Sequence, residues 1–202
     1  MAVQTSTRRP LKSRNTAWAA GLARWLVQAR VRPNQISLAS VAAAALAAFC
    51  LLRESYLLAA LFIQLRLLCN LMDGMVAIEG GLRSAAGEIY NELPDRVSDA
   101  LILLAAGYSL SWPAYARELG WSATLLAVIA AYVRTLGGAC GLAQDFRGPM
   151  AKPQRMAVMT VASLLAPIDS RAIALALIVV IAGSLVTAVL RVRRLVHQLE
   201  AR

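Results

Sequence analysis

Charged residues are scarce in this chain, and most of them stand at the ends of long apolar runs. Asp, Glu, Lys and Arg make up 16% of the 202 residues, whereas 59% are hydrophobic and the mean hydropathy is +0.60. An average soluble domain has about 45–50% apolar residues, and a spanning helix needs about 20 mostly apolar residues with charges near its ends. The composition therefore excludes an ordinary soluble protein and predicts an integral membrane protein.

Other features are also missing. Cys50, Cys69 and Cys140 are odd in number and lack metal-ligand spacing, so we expect them to be small, buried apolar residues within spans. Residues 1–15 have no apolar core and are predicted to form a basic tail instead of a signal peptide. Since no linker, repeat or low-complexity tract follows, residues 16–202 are predicted to form a single transmembrane domain.

Six apolar stretches predict an all-α membrane protein with six transmembrane helices. They cover residues 36–52, 56–77, 96–113, 121–143, 156–168 and 172–190. The fifth stretch is short and ends at Pro167. We expect it either to tilt or to extend back through Lys152–Arg155.

An amphipathic segment, residues 16–31, precedes the first span. One helical face would carry Trp18, Leu22, Trp25, Leu26 and Ala29, with Arg24 and Gln28 opposite. This pattern is typical of an interfacial helix lying along the cytoplasmic headgroups. The alternative is the first turn of a longer helix, although Arg32-Pro33-Asn34 favours a turn into the first span.

The distribution of Lys and Arg predicts the orientation. With both termini inside, cytoplasmic segments hold 16 of the 21 basic residues, and the outer loops hold three, at Arg53, Arg117 and Arg171. By the positive-inside rule the chain is N-in and C-in, as expected in a bacterial inner (cytoplasmic) membrane. The net charge of +10 is then explained by topology and attraction to anionic lipids, and we predict no nucleic-acid partner.

Acidic residues crowd the segment from residue 73 to residue 99. Six of the 11 acids occur there: Asp73, Glu79, Glu88, Glu92, Asp95 and Asp99. Such crowding is tolerable when a cation is bound, and Mg²⁺ prefers carboxylate and amide oxygens. Arg66, Asn70 and Asp73 lie on one helical face, and so do Asn91, Asp95 and Asp99. Two such faces opposed would form a cation site.

The alternative is that Glu79, Glu88 and Glu92 belong to a solvated loop, which we favour for Glu79. Asp73, Asp95 and Asp99 adjoin apolar runs, where an unpaired carboxylate is costly. The nearby glycines Gly74, Gly80, Gly81 and Gly87 allow close backbone approach, as a nucleotide or phosphate would require.

The same segment resembles the signature of the CDP-alcohol phosphotransferase family, D-x-x-D-G-x-x-A-R, then eight residues, then G-x-x-x-D-x-x-x-D. The corresponding positions here are Asn70, Asp73, Gly74, Ala77, Ile78, Gly87, Asn91 and Asp95. All spacings match, and five of the eight residues are identical. The resemblance also covers the interfacial helix, the Pro-Asn entry into the first span and six spans with both termini inside.

This resemblance implies a function in phospholipid biosynthesis. In the family, a CDP-lipid, usually CDP-diacylglycerol, gives its phosphatidyl group to an alcohol and releases CMP, with Mg²⁺ or Mn²⁺ bound, and a homodimer is expected. It implies a metal site of Asn70, Asp73, Asn91 and Asp95, to which we add Asp99. Asp95 is the expected catalytic base, and Gly74, Ala77 and Gly87 are the expected nucleotide-binding residues.

Three departures from the signature bear on the metal. Asn70 and Asn91 replace acids, and Ile78 replaces Arg. An Asn carbonyl oxygen can bind Mg²⁺ but adds no negative charge. We therefore expect weaker or single-metal binding unless Glu88, Glu92 or Asp99 compensates.

The acceptor side is predicted from basic residues. Lys152 and Arg155 lie in a loop entering the fifth span, while Arg66 and Arg134 fall within spans. Arg side chains suit a phosphate on an acceptor such as glycerol phosphate or inositol phosphate. Alternatively, Lys152 and Arg155 anchor at headgroups. Buried Arg66 needs a partner, for which Asn70 or Asp73 is available.

Three kinds of function remain open: a transferase, a catalytically silent relative that binds lipid or has a structural role, and a transporter using the intramembrane acids. Retention of Asp73, Asp95 and Asp99 favours the transferase. The sequence has no pair of broken helices and no inverted repeat, which disfavours a transporter.

Overall fold

The computed structural model describes residues 16–82 and 86–201, and the regular secondary structure in these ranges consists of seven helices, with no strand. The helices are α1 (Ala17–Gln28), α2 (Pro33–Leu52), α3 (Tyr56–Glu79), α4 (Gly87–Tyr108), α5 (Ala116–Ala139), α6 (Lys152–Leu165) and α7 (Arg171–Glu200). The predicted basic tail, residues 1–15, and Arg83 lie outside the described residues, as does the side chain of Glu88.

Four helices of the described chain, α2, α3, α5 and α7, are long and apolar enough to cross a membrane. The other two predicted spans correspond to α4 and α6. Helix α4 begins at Gly87, nine residues before the predicted start at 96, because it includes the acidic segment. Helix α6 begins at Lys152, so the fifth apolar stretch does extend back through Lys152–Arg155.

Helix α1 packs against α3 through a face that differs from the predicted one. Its buried residues are Ala19 and Ala23, with Leu22 and Leu26 partly buried beside them. Trp18 and Trp25 are instead 56% and 61% exposed. Small alanines allow close contact between helices, whereas Trp suits the membrane–water interface. The predicted apolar face of α1 is therefore divided: Leu22 and Leu26 contact the protein, whereas Trp18 and Trp25 are exposed.

The turn between α1 and α2 forms where Arg32-Pro33-Asn34 predicts it. Pro33 is the first residue of α2, where its missing N–H costs no hydrogen bond. The Gln35 side-chain oxygen accepts a hydrogen bond from the Arg32 backbone N–H at 2.9 Å. Residues 16–31 are thus separated from the first long helix by a turn, which excludes a single continuous helix.

Small residues bring the long helices close together. A Cβ atom on Gly107 of α4 would lie 2.7 Å from the carbonyl oxygen of Ala116 in α5, so the two helices touch through backbone. Large apolar side chains such as Leu57, Leu61 and Leu125 are more than half exposed on the outer surface. Small residues inside and large apolar residues outside are typical of helices surrounded by lipid.

The three cysteines differ in environment. Cys50 is buried and Cys69 is partly buried, but Cys140 is exposed. The prediction that all three are buried within spans is wrong for Cys140, because α5 ends at Ala139 and leaves Cys140 in the following turn.

Candidate active site

A cavity of about 460 Å³ lies where α3, α4 and α6 meet. Its polar lining comes from the end of α3, the beginning of α4 and the beginning of α6, and α1, α5 and α7 add further residues. The polar and charged lining residues are Gln64, Asn70, Asp73, Asn91, Glu92, Asp95, Arg96, Arg134, Lys152, Arg155 and Arg191. Six helices thus contribute residues to the lining of one cavity.

Asn70 and Asp73 enter the cavity from the same face of α3. Both are held by serines of α2: Ser40 Oγ donates to Asn70 Oδ1 at 3.1 Å, and Ser37 Oγ donates to Asp73 Oδ2 at 2.9 Å. Asp73 is only 5% exposed. Because Ser37 and Ser40 share the spacing of Asn70 and Asp73, two parallel hydrogen bonds fix the orientation of both α3 side chains.

Asp95 enters from α4 and is surrounded by cations. The Lys152 ammonium forms an ion pair with Asp95 Oδ1, and Arg66 Nη2 lies 3.7 Å from the same oxygen. Arg96 Nη2 is 4.0 Å from Asp95 Oδ2. Asp95 is therefore linked to α3 and α6 through charge.

Asp99 lies one turn further along α4 and is paired on both oxygens. Arg66 Nη2 donates to its Oδ1 at 2.7 Å, while Arg155 Nη2 and Nε donate to its Oδ2 at 2.6 and 3.2 Å. All three side chains are buried. The expectation that Asn70 or Asp73 is the partner of Arg66 is wrong, because α4 brings the Asp99 carboxylate to this guanidinium.

Arg134 of α5 is held at the side of the cavity. It forms an ion pair with Glu92, which also binds Arg96 at 3.3 Å. Gln144 Oε1 accepts a hydrogen bond from Arg134 Nη1 at 3.1 Å, and the guanidinium lies over the Phe146 ring. Glu92 is thus an ion-pair partner, not a member of a solvated loop.

The other residues predicted for the site differ in position. Gly74 lines the cavity beside Asp73. Ala77 is buried one turn further along α3, and Gly87 is the first residue of α4; neither is among the lining residues. Glu79 is the last residue of α3 and is exposed, as favoured from the sequence.

Sequence reasoning missed the lining residue Arg191 and the two serines, Ser37 and Ser40, that hold Asp73 and Asn70. Arg191 is buried in α7, where it donates to the carbonyl oxygens of Arg147 at 2.9 Å and Ala130 at 2.6 Å. Residue 191 directly follows the last predicted span, 172–190, but α7 continues well past residue 190. Ser37 and Ser40 carried a detectable signal, since they are polar residues spaced by three in an apolar helix.

The donor set of the cavity fits one divalent cation. The carboxylates of Asp73 and Asp95 and the amides of Asn70 and Asn91 are among its lining residues, whereas the lining carboxylate of Glu92 is held by Arg96 and Arg134. In the described chain, no three His, Cys, Asp or Glu side chains gather as a metal cluster. Mg²⁺ is usually bound through one or two carboxylates together with substrate phosphates, so the carboxylates here are sufficient for a single ion.

Similar proteins are known at the level of both sequence and fold. An uncharacterized protein of Aquifex aeolicus (strain VF5) is 29% identical over 176 residues, covering 85% of this chain and 86% of that protein. The fold resembles Mycobacterium tuberculosis phosphatidylinositol phosphate synthase (PgsA1). Its structure with CDP-DAG bound has a TM-score of 0.78 at 18% identity, covering 89% of this chain and 94% of that one.

The structure of the same synthase with manganese and citrate has a TM-score of 0.77, also at 18% identity, with 88% of each chain covered. The sequence model of the CDP-alcohol phosphatidyltransferase family matches residues 30–195. This range includes every lining residue of the cavity except Trp18. The chain therefore belongs to the CDP-alcohol phosphatidyltransferase family.

Proposed function

We propose that this protein transfers the phosphatidyl group of a CDP-lipid such as CDP-diacylglycerol to an alcohol and releases CMP. The observation that carries the proposal is the convergence of Asn70, Asp73, Asn91 and Asp95 on one cavity. Membership of the family supports this reaction class, as does the solved relative that binds CDP-DAG. The retained carboxylates favour an active enzyme over a silent relative.

The donor is proposed to bind on the α3 side of the cavity. Asp73, with Asn70 and Asn91, would hold Mg²⁺ or Mn²⁺, which when bound supplies positive charge to the donor pyrophosphate. Gly74 has no side chain and leaves room for the nucleotide beside Asp73. Ser37 holds Asp73 in the orientation that faces the cavity.

Asp95 is proposed to take the proton from the acceptor hydroxyl. The acceptor oxygen forms a bond to the phosphorus next to diacylglycerol, and the bond from that phosphorus to the bridging oxygen breaks, so CMP leaves with the electron pair. The ion pair with Lys152 fixes the orientation of Asp95. Arg66 and Asp99 are not among the residues that line the cavity. We propose that they hold the Asp95 carboxylate in place, because Arg66 pairs with Asp99 and also lies 3.7 Å from Asp95.

The acceptor is proposed to bind against Arg134 and Lys152. Both line the cavity, and the Lys152 side chain is only 20% exposed, which disfavours simple anchoring at headgroups. Arg155 also lines the cavity, but its donors are directed to Asp99 and to the carbonyl oxygen of Met150. A phosphate-bearing alcohol would complement these charges.

Six spans with both termini in the cytoplasm are proposed for the chain, with the cavity facing the cytoplasm of a bacterial cell. The four long apolar helices support a multi-pass protein. Since Arg134, Lys152 and Arg155 lie around the cavity, its cytoplasmic location also agrees with the positive-inside rule.

Thiol labelling tests this topology. In a variant with Cys50, Cys69 and Cys140 replaced, cysteines at positions 83 and 143 should react with an impermeant maleimide only from the cytoplasmic side. Position 143 represents the loop between α5 and α6, because Ala143 is exposed there, whereas Met150 in the same loop is too buried to label. A cysteine at Ile168, which is 87% exposed, should react only from outside. Labelling of position 83 or 143 from outside alone would overturn the six-span arrangement.

Asp73→Asn should abolish divalent-dependent binding of CDP-diacylglycerol and leave the fold intact. The change keeps the size of the side chain and its hydrogen-bonding capacity toward Ser37, but it removes the negative charge that attracts the cation. Binding of a fluorescent CDP-lipid with and without Mg²⁺ measures the effect, with Asp145→Asn as a control away from the motif. Unchanged binding by Asp73→Asn would remove Asp73 from the site.

The transferase proposal is tested by incubating the purified protein with CDP-diacylglycerol, Mg²⁺ or Mn²⁺ and a panel of alcohols. We expect CMP release with at least one phosphorylated or free polyol. No release with any acceptor, from protein that retains its fold, would overturn the proposal.

A further inference from the structure

The α4 acids with described side chains, Glu92, Asp95 and Asp99, are each engaged by basic side chains. Glu92 pairs with Arg96 and Arg134, and Asp99 pairs with Arg66 and Arg155. Asp95 faces Lys152, with Arg66 and Arg96 within 4.0 Å. In the described chain, no Lys or Arg nitrogen forms such a pair with Asp73 of α3. Asp73 and Asp95, which line the cavity from α3 and α4, therefore have different electrostatic surroundings.

Lys152 is held on Asp95 by its position in the chain. It is the first residue of α6, and Pro153 follows it at the helix start. One turn later, Arg155 donates to the carbonyl oxygen of Met150 at 3.1 Å and to Asp99, which fixes the entry into α6. The ammonium therefore reaches Asp95 from a rigid helix end.

A divalent cation on Asp95 would meet this ammonium and the Arg66 guanidinium at short range. Like charges at such distances repel strongly in a poorly solvated cavity. The side chain that donates to the Asp73 carboxylate is the neutral Ser37, and Asn70 lies one turn before it. The Lys152 ammonium also acts on Asp73, but from beyond ion-pair distance, because it pairs with Asp95. Carboxylate and amide oxygens with substrate phosphates suit one hard cation there.

We propose that the cavity holds one divalent cation, on Asp73, and that the Lys152 ammonium takes the place of a second cation on Asp95. This inference rests on the proposed function, because it concerns how that active site obtains its positive charge. The two Asn residues at acid positions of the motif, Asn70 and Asn91, are consistent with this role of Lys152, because each lowers the negative charge available to a second cation. The site would keep one metal and one fixed organic cation.

Counting bound Mn²⁺ tests the inference without relying on turnover. Purified protein with saturating CDP-diacylglycerol is titrated with Mn²⁺, and free Mn²⁺ is measured by its electron paramagnetic resonance signal. We expect one tightly bound Mn²⁺ per chain, and none in Asp73→Asn. Two tightly bound ions in the unmodified protein, or none, would overturn the proposal.

Variants of Lys152 test whether its ammonium takes the place of a second cation. Lys152→Met removes the ammonium and should create a second Mn²⁺ site on the freed Asp95, whereas Lys152→Arg should keep the count at one. Arg24→Met is the matched control, because Arg24 is exposed on α1 and its loss removes the same charge away from the cavity. A count that stays at one in folded Lys152→Met would overturn the role of Lys152.

CMP release in the same preparation separates the two proposals. Two bound ions together with CMP release would refute the single-cation site and leave the transferase function standing. One bound ion without CMP release from any acceptor would refute the transferase function and leave the cation count standing.

Discussion

Asp95→Asn is expected to lower turnover by at least about two orders of magnitude, while the affinity for CDP-diacylglycerol changes much less. A general base contributes typically about 10²–10⁴-fold to a rate, and Asn has a similar shape but cannot accept the proton. Because the donor is proposed to bind on the Asp73 side, the loss should appear in kcat and not in donor binding. Steady-state CMP release and equilibrium binding of the CDP-lipid measure the two effects.

The control for Asp95 is Glu92→Gln, which removes a neighbouring acid on the same helix that is held by Arg134 and Arg96. It should retain more activity than Asp95→Asn, since its proposed effect is limited to the position of Arg134. If Asp95→Asn turns over normally while folded Asp99→Asn is inactive, the base lies one turn further along α4 and the assignment to Asp95 is wrong.

Asp99→Asn is expected to destabilise the protein by about 3–5 kcal/mol, as breaking a buried ion pair typically does. The change leaves Arg66 and Arg155 buried without their carboxylate, at the point where α3, α4 and α6 meet. Thermal unfolding in detergent measures the loss. A large loss of stability would indicate that Asp99 is a structural carboxylate and not the metal ligand expected from the sequence.

A matched control for Asp99 is Asp145→Asn. Its partner Arg194 is 3.9 Å away and partly exposed, and a surface pair of this kind contributes about 0–1 kcal/mol. Replacing Asp99, Arg66 and Arg155 together by apolar residues of similar size should recover stability relative to Asp99→Asn. A fully stable Asp99→Asn would show that the three side chains do not act as a buried network.

Helix positions were largely predictable because each apolar run is bounded by turn residues. The starts of α2 and α3 follow from Pro33 and from the polar turn at Arg53 to Ser55. The start of α4 was not predictable from hydropathy, because its first turns carry the acids that face the cavity. Helical spacing predicts one face with Asn91, Asp95 and Asp99, but the polar residues before them hide the first turns of the helix from hydropathy.

Convergence of Asn70, Asp73, Asn91 and Asp95 was predictable from helical spacing and from the family signature. The pairing of Asp99 with the buried Arg66 and Arg155 was not. Asp95 and Asp99 both follow Asn91 at intervals of four residues, so spacing alone makes them equivalent. They differ because Arg66 from α3 and Arg155 from α6 meet Asp99 from two sides, which depends on how three helices pack.

The most direct test of the central claim follows the phosphate of the donor. CDP-diacylglycerol labelled on the phosphate next to diacylglycerol is incubated with the protein, Mg²⁺ or Mn²⁺ and each alcohol of the panel. The account predicts that the label passes into a new lipid phosphodiester containing the alcohol, that unlabelled CMP appears in equal amount, and that Asp95→Asn loses both products. Labelled phosphatidic acid in place of the phosphodiester, or no CMP with any alcohol, would contradict it.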